Sequence, residues 1–219
     1  MTSTVHFDRD RTALLLVDVQ PDFMPGGALP VPGGHEIVER VGRLLASDLF
    51  RHRAATQDWH PPGHISFASS HPGREPLERV ELYGHEQVLW PDHCVQNSPG
   101  AQLYPGLPWE KLDVIVRKAT DPVVDSYSTF RNNWDPRGRR PATGLGGYLH
   151  DRGVEEIFIA GLARDYCVKW SVEDALDAGF EVTVLWELTR AIDASGDDAL
   201  YTGWREHGVR ILRLEQLGL

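Results

Sequence analysis

The sequence predicts an α/β fold, a three-layer α/β/α arrangement with a mostly parallel sheet and helices on both faces. Three observations lead there. Short continuous apolar runs such as residues 12–18 (TALLLVD) lack face alternation, as strands buried on both sides of a parallel sheet do. Segments of crossover length with apolar residues at helical spacing separate several of these runs. Gly179 and Gly208 fall just past two such segments, where helices end on a left-handed residue.

Taken in order, the run at 12–18 is the first strand, and the turn-rich MPGGALPVPGG leads from it into residues 36–50. There Ile37, Val38, Val41, Leu44 and Leu45 keep helical spacing. Further strands are predicted at 53–57, where the pattern is weak, and at 113–117, 156–160, 181–185 and 209–213. Residues 167–180 (CVKWSVEDALDAGF) and 197–208 (DDALYTGWREHG) supply the intervening helices. Residues 58–108 and 119–142 break this rhythm. Loops longer than about 15 residues inside a compact domain are usually functional, so the site is expected on these two segments.

The chain has 219 residues, 41% of them hydrophobic and 25% charged, which excludes disorder and collagen-like repeats. No repeat or linker-like tract divides it, so one domain over residues 1–219 is expected. A chain this long buries roughly 70% of its unfolded surface and needs no metal to hold a core. Any metal would serve chemistry. The net charge of −10 argues against nonspecific nucleic-acid binding. No apolar run is long enough for a membrane span, and residues 1–10 lack the apolar core of a secretory signal, so a cytoplasmic location is expected. Two cysteines, Cys94 and Cys167, are too few for a disulfide scaffold.

Ligands of open α/β sheets bind beyond the carboxyl ends of the strands. Those ends carry Asp18, Asp58 and Lys118, and the 156–160 strand runs through GLARDY to Cys167. Each has a plain alternative: a turn cap for Asp18, a solvated surface group for Lys118, a small packed hydrophobe for Cys167. Cys167 starts a helical pattern, and a helix N-terminus favours the thiolate. Cys94 has no such helix start and reads as packing. Five of the ten histidines lie between residues 60 and 93. Asp58 and His60, two apart in an extended segment, point to one side, and His93 can complete a partial shell suited to zinc, iron or manganese. The alternative is a set of ordinary loop histidines. His71 and His85 are assigned to it, and His64 is left open.

The pieces LLLVDVQPDF, QDWHPPGHISF, LWPDHCVQ, VRKATDPVVDSYSTF and GLARDYCVKWSVEDALDAGFEVTVL resemble the nicotinamidase/pyrazinamidase branch of the isochorismatase-like cysteine hydrolases. The resemblance runs from about residue 12 to residue 193. It implies a six-stranded sheet and a catalytic triad of Asp18, Lys118 and Cys167, with Cys167 as nucleophile and Asp18 as proton carrier. It also implies one divalent transition metal, zinc before iron or manganese, on Asp58, His60 and His93. An oxyanion hole from the N–H groups of Ala163 and Cys167, a cis bond before Ala163, and a ring-binding wall of Phe23, Trp90 and Tyr127 complete the implied site. Arg164 departs from the family pattern, at the pocket rim or in solvent.

The implied reaction is metal-dependent hydrolysis of nicotinamide, and of pyrazinamide, to the acid and ammonia through a cysteine thioester, a step of NAD salvage. The expected partner is a small aromatic amide, with no nucleic acid or membrane, and homo-oligomer formation is left open. Two rivals stand beside it: a metal-free amidohydrolase acting on a carbamoyl or ureido compound, and a noncatalytic binder on the same scaffold. A cysteine peptidase would need a histidine near the Cys167 motif, and none is there.

Overall fold

A computed structural model describes residues 4–219, so the first three residues of the expected domain and of the 1–10 segment lie outside the described residues. Six strands form the main sheet: β1 (Thr12–Val17), β2 (His52–Asp58), β5 (Val114–Lys118), β6 (Glu156–Leu162), β7 (Glu181–Arg190) and β8 (Arg210–Leu212). Their order is β5-β2-β1-β6-β7-β8, and all five neighbouring pairs run parallel. The predicted sheet is therefore present and wholly parallel in its pairings. A separate antiparallel hairpin joins β3 (Arg79–Leu82) to β4 (His85–Val88).

The apolar runs form strands because both of their faces are covered. Leu14 and Leu16 of β1 enter one core cluster with Val41, Leu44 and Leu45 of α1 (Val38–Ala46). Ala13, Leu15 and Val17 enter the other, with Leu145 and Leu149 of α2 (Leu145–His150), Val172 and Ala175 of α3 (Lys169–Asp177), and Trp204 of α4 (Asp197–Glu206). Alternate side chains of one strand thus bind the two helical layers together.

Boundaries moved where local chemistry overrides periodicity. The expected helix over 36–50 is helical only to Ala46, because the Ser47 hydroxyl turns back to Leu44 O at 2.7 Å and Phe50 leaves to stack near Phe7 and Phe158. The helix expected from residue 167 begins at Lys169, after a π-helical turn over Arg164–Val168. Strand β7 runs five residues beyond the expected 181–185, its register against β6 shifting between Ile159 and Gly161. Helix α2 was not expected, since Gly146 and Gly147 depress helix propensity. Nor was the hairpin, whose Tyr83 and Gly84 both take positive φ, 56° and 81°, as a tight two-residue turn requires.

Strand order reverses between β1 and β6, the topological switch point at which an open sheet leaves a crevice. Asp18 follows β1 there, and Cys167 lies five residues past β6. Gly161 lets these neighbours approach: at φ 123° an added Cβ would sit 2.0 Å from Val17 O. No helix among the described residues is long and apolar enough to cross a membrane.

Candidate active site

The carboxyl edge of the sheet brings Asp18, Lys118 and Cys167 together in the interior. Asp18 is 0% and Lys118 1% exposed, a depth at which a charge persists only with partners. Lys118 Nζ reaches Asp18 Oδ2 at 2.9 Å, Asp58 Oδ1 at 3.0 Å, Ser126 O at 2.9 Å and Cys167 Sγ at 3.5 Å. Neither lysine in solvent nor a carboxylate capping a turn describes these two residues. Asp18 sits at φ 47°, in the left-handed region that few residues other than glycine, asparagine and aspartate enter. Thr56 Oγ1 donates to Asp18 Oδ1 at 2.7 Å, whereas Oδ2 receives no aligned hydrogen bond and is left as an acceptor beside the thiol.

Burial raises the Asp18 carboxyl above its ordinary value, with Lys118 pulling the other way and Asp58 adding to the rise. Burial also drives the Cys167 thiol well up; Lys118 opposes this and Asp18 reinforces it. Burial thus outweighs the lowering expected from a helix start, and α3 itself begins only at Lys169. The residue lies inside the π turn, where its proton has one near acceptor, the Asp18 carboxylate. Burial opposes a charge on Lys118 too, but Asp18 and Asp58 hold its pKa well above the ordinary value. Within the turn, Tyr166 N–H and Val168 N–H donate to Ala163 O at 3.2 and 3.0 Å. Leu162–Ala163 is cis, as the resemblance implied.

Beside this trio stand Asp58, His60 and His93, with ligand atoms mutually within 4.8 Å. Asp58 Oδ2 lies 3.0 Å from His60 Nε2 and 3.3 Å from His93 Nε2. Two ligand atoms each about 2.1 Å from one metal ion would be about 3 Å apart, so the spacing fits. His93 Nδ1 donates to Pro91 O at 2.8 Å, which leaves Nε2 as the free lone pair. Burial lowers the His60 pKa, and the adjacent Asp58 carboxylate pulls it the other way. Burial by itself would raise Asp58, but His60 and Lys118 take its carboxyl well below the ordinary value. Two buried carboxylates face one lysine, and a divalent cation would supply the missing positive charge. The donor set therefore fits a metal. Gln20, unnoticed in the sequence, fixes this strand end by donating to Asp58 O at 2.9 Å and accepting from Asp58 N–H at 2.8 Å.

His64 is buried in a different role. Its Nε2 donates to Asp121 O at 3.0 Å, bracing the 119–126 loop, and its Nδ1 accepts from Ser66 Oγ at 2.7 Å, so both ring nitrogens are engaged. His64 also converges with His60 and Asp125, but through groups already engaged. His71 bonds Ile65 O and His85 stacks on Trp134 at 3.8 Å, away from the Asp58 cluster. Cys94 is fully buried, its thiol driven well up by burial, as packing predicts.

Phe23, Trp90 and Tyr127 line one small cavity with Ala163, Cys167 and the three candidate ligands. Tyr166 and Asp125 line it too and were missed; Tyr166 sits one residue before Cys167 and packs edge-on to Trp90 at 4.7 Å. Arg164 points to neither rim nor solvent. Its guanidinium pairs with Asp197, bonds the carbonyls of Trp186 and Thr189 at the irregular end of β7, and lies 4.0 Å over the Trp186 ring. A larger groove, about 740 Å³, runs between α3 and α4, but its Asp165 is engaged by Ile192 and Asp193 N–H and its Asp197 by Arg164. It lacks the convergent chemistry of the strand ends.

Fold and site together define a doubly wound α/β hydrolase with a buried cysteine, carboxylate and lysine at the switch point. The sequence profile of the isochorismatase domain matches residues 12–216, and the chain belongs to that family. Within it, the chain is an enzyme of the nicotinamidase group of hydrolases. It is 46% identical over 191 residues to an Escherichia coli nicotinamidase, covering 86% of this chain and 87% of that one. An Acinetobacter baumanii nicotinamidase/pyrazinamidase structure superposes with a TM-score of 0.88 at 37% identity, covering 95% of this chain and 98% of that one. A Pyrococcus horikoshii pyrazinamidase, solved in complex with zinc, gives 0.73 at 35% identity and covers 93% and 99%.

Proposed function

We propose that this chain hydrolyses nicotinamide, and pyrazinamide, to the carboxylic acid and ammonia through a thioester on Cys167. The observation that carries the reading is the convergence of a buried Asp18 carboxylate and the Cys167 thiol on one amine, Lys118 Nζ lying 2.9 Å from Asp18 Oδ2 and 3.5 Å from Cys167 Sγ. The names of the similar proteins supply the amide class.

Asp18 Oδ2 takes the thiol proton as Sγ bonds to the carboxamide carbon and the carbonyl electrons move to oxygen. The Cys167 and Ala163 N–H groups receive the oxyanion, each such donor contributing about 3–4 kcal/mol. Lys118 stabilises the carboxylate before transfer and the charge separation during it. The C–N bond then breaks and ammonia leaves with the proton from Asp18. Asp18 next takes a proton from water, whose oxygen attacks the thioester carbon; the acid departs and the thiol is restored. Asp58, His60 and His93 would hold a divalent metal, zinc first, which when bound supplies a Lewis-acidic anchor for the pyridine nitrogen. Phe23, Trp90 and Tyr127 enclose the ring and exclude water. Such an enzyme acts in NAD salvage, in the cytoplasm.

Ammonia release from nicotinamide by metal-replete protein, with and without chelator, tests this. Release that stops with chelator and returns with zinc is expected. Release only from a carbamoyl or ureido compound, indifferent to chelator, would replace the reading with the metal-free rival.

A further inference from the structure

The substrate pocket has an outer layer that the reaction does not use. Gln87 of β4 is 5% exposed, its carboxamide turned inward from the hairpin. Its Nε2 lies 2.7 Å from Asp125 Oδ2, 2.8 Å from Val88 O and 3.0 Å from Tyr127 Oη. Trp90 Nε1 donates to the same Tyr127 Oη at 3.2 Å. Asn133 closes the circuit, offering Nδ2 to Gln87 Oε1 at 3.4 Å and accepting Tyr127 N–H at 3.2 Å. The two aromatic walls thus meet at one phenol oxygen, and a side chain from the hairpin holds it.

The direction of the circuit follows from Asp125. Its Oδ1 accepts the Ser126 N–H at 2.8 Å, and a carboxylate oxygen at 2.7 Å demands the amide nitrogen of Gln87, not the oxygen. Tyr127 Oη accepts the Trp90 indole N–H and lies 3.0 Å from Gln87 Nε2, whose two hydrogens are shared among it, Asp125 Oδ2 and Val88 O, so the hydroxyl cannot turn away without leaving buried polar groups unpaired. A leucine would fill the same volume without this constraint. The hairpin that supplies Gln87 is itself fastened: Tyr83 Oη donates to Val123 O at 2.9 Å, and His85 stacks on Trp134 at 3.8 Å.

We propose that Gln87 is a positioning residue that fixes the Tyr127 and Trp90 walls through the Tyr127 hydroxyl, so that the β3–β4 hairpin sets affinity for a flat aromatic amide. The assignment rests on the nicotinamidase reading. Gln87 touches neither Cys167 nor the candidate metal ligands, so its loss acts on substrate binding and leaves the bond-making steps intact.

Steady-state kinetics of the metal-loaded enzyme on nicotinamide test it with Gln87→Leu, Tyr127→Phe and the double variant, metal content and melting temperature being followed in parallel. Gln87→Leu is expected to raise KM roughly tenfold with kcat changed less than about threefold, and to change KM less than about twofold in the Tyr127→Phe background, since the hydroxyl through which it acts is gone. Tyr127→Phe removes a single oxygen and carries the test even if Gln87→Leu folds poorly: it too must raise KM at near-constant kcat. Equal KM effects of Gln87→Leu in both backgrounds, an unchanged KM, or a fall in kcat tracking lost metal overturns the assignment. Wild-type protein inactive on nicotinamide overturns the functional reading, and this assignment with it; active wild type with indifferent variants overturns the assignment alone.

Discussion

Asp18, the proposed base, is buried beside a lysine, and its surroundings set where it ionises. A hydrogen bond to the charged form lowers a pKa, so Thr56→Val, which deletes the donor to Oδ1, raises that of Asp18 further. The base form is present above the pKa and lost below it. The acidic limb of the kcat/KM profile should therefore lie above the ordinary carboxylate range in wild type and move to still higher pH in Thr56→Val; an unmoved limb counts against Asp18 as the base. Asp18→Asn should lower kcat by about 10²–10⁴-fold, the usual worth of a positioned general base. Cys167→Ala should abolish turnover, with metal content unchanged by elemental analysis. Asp18 was legible because it lies at a strand end within a short motif, and Cys167 because a short motif carries it past another strand. The roles of His64 and Arg164 were not, because both depend on partners 57 and 33 residues away.

Among the elements, the β6 exit is the least tolerant. It must pass close to β1, turn through the π segment and present Cys167, and Gly161 permits the first of these. Gly161→Ala puts a methyl against Val17 O and should destabilise by about 2–4 kcal/mol, read as a lower urea midpoint at constant m. Arg164 secures the opposite side of that exit. Arg164→Met should cost about 1–3 kcal/mol, with Asp197 losing its partner and two carbonyls of β7 losing a donor. The strands were readable because burial on both faces removes polar residues from them. The β3–β4 hairpin was not, since its Val80 and Leu82 are only half-buried and Tyr83 is an unusual residue for a left-handed turn position.

At the scale of the whole molecule, the Asp58, His60 and His93 cluster joins the end of β2 to a loop more than 30 residues away, so a metal held there would brace the same edge that carries Cys167. Saturation at about a thousandfold excess over Kd stabilises by about 4 kcal/mol, which chelation removes. The melting temperature should fall by about 10 °C on chelation and recover with zinc, and this difference should vanish in a His60→Ala, His93→Ala double variant.

The sequence by itself determined the α/β class, the placement of Asp18, Asp58 and Lys118 at strand ends, and the family motifs, because period, apolar runs and short spacings are local properties. Tertiary structure alone decided which of the clustered histidines share a site, that burial pushes the Cys167 thiol up, that Asp125 and Tyr166 line the pocket, and that Gln87 stands behind Tyr127. Those outcomes turn on burial and on contacts between distant segments, and both arise only once β1 and β6 lie side by side.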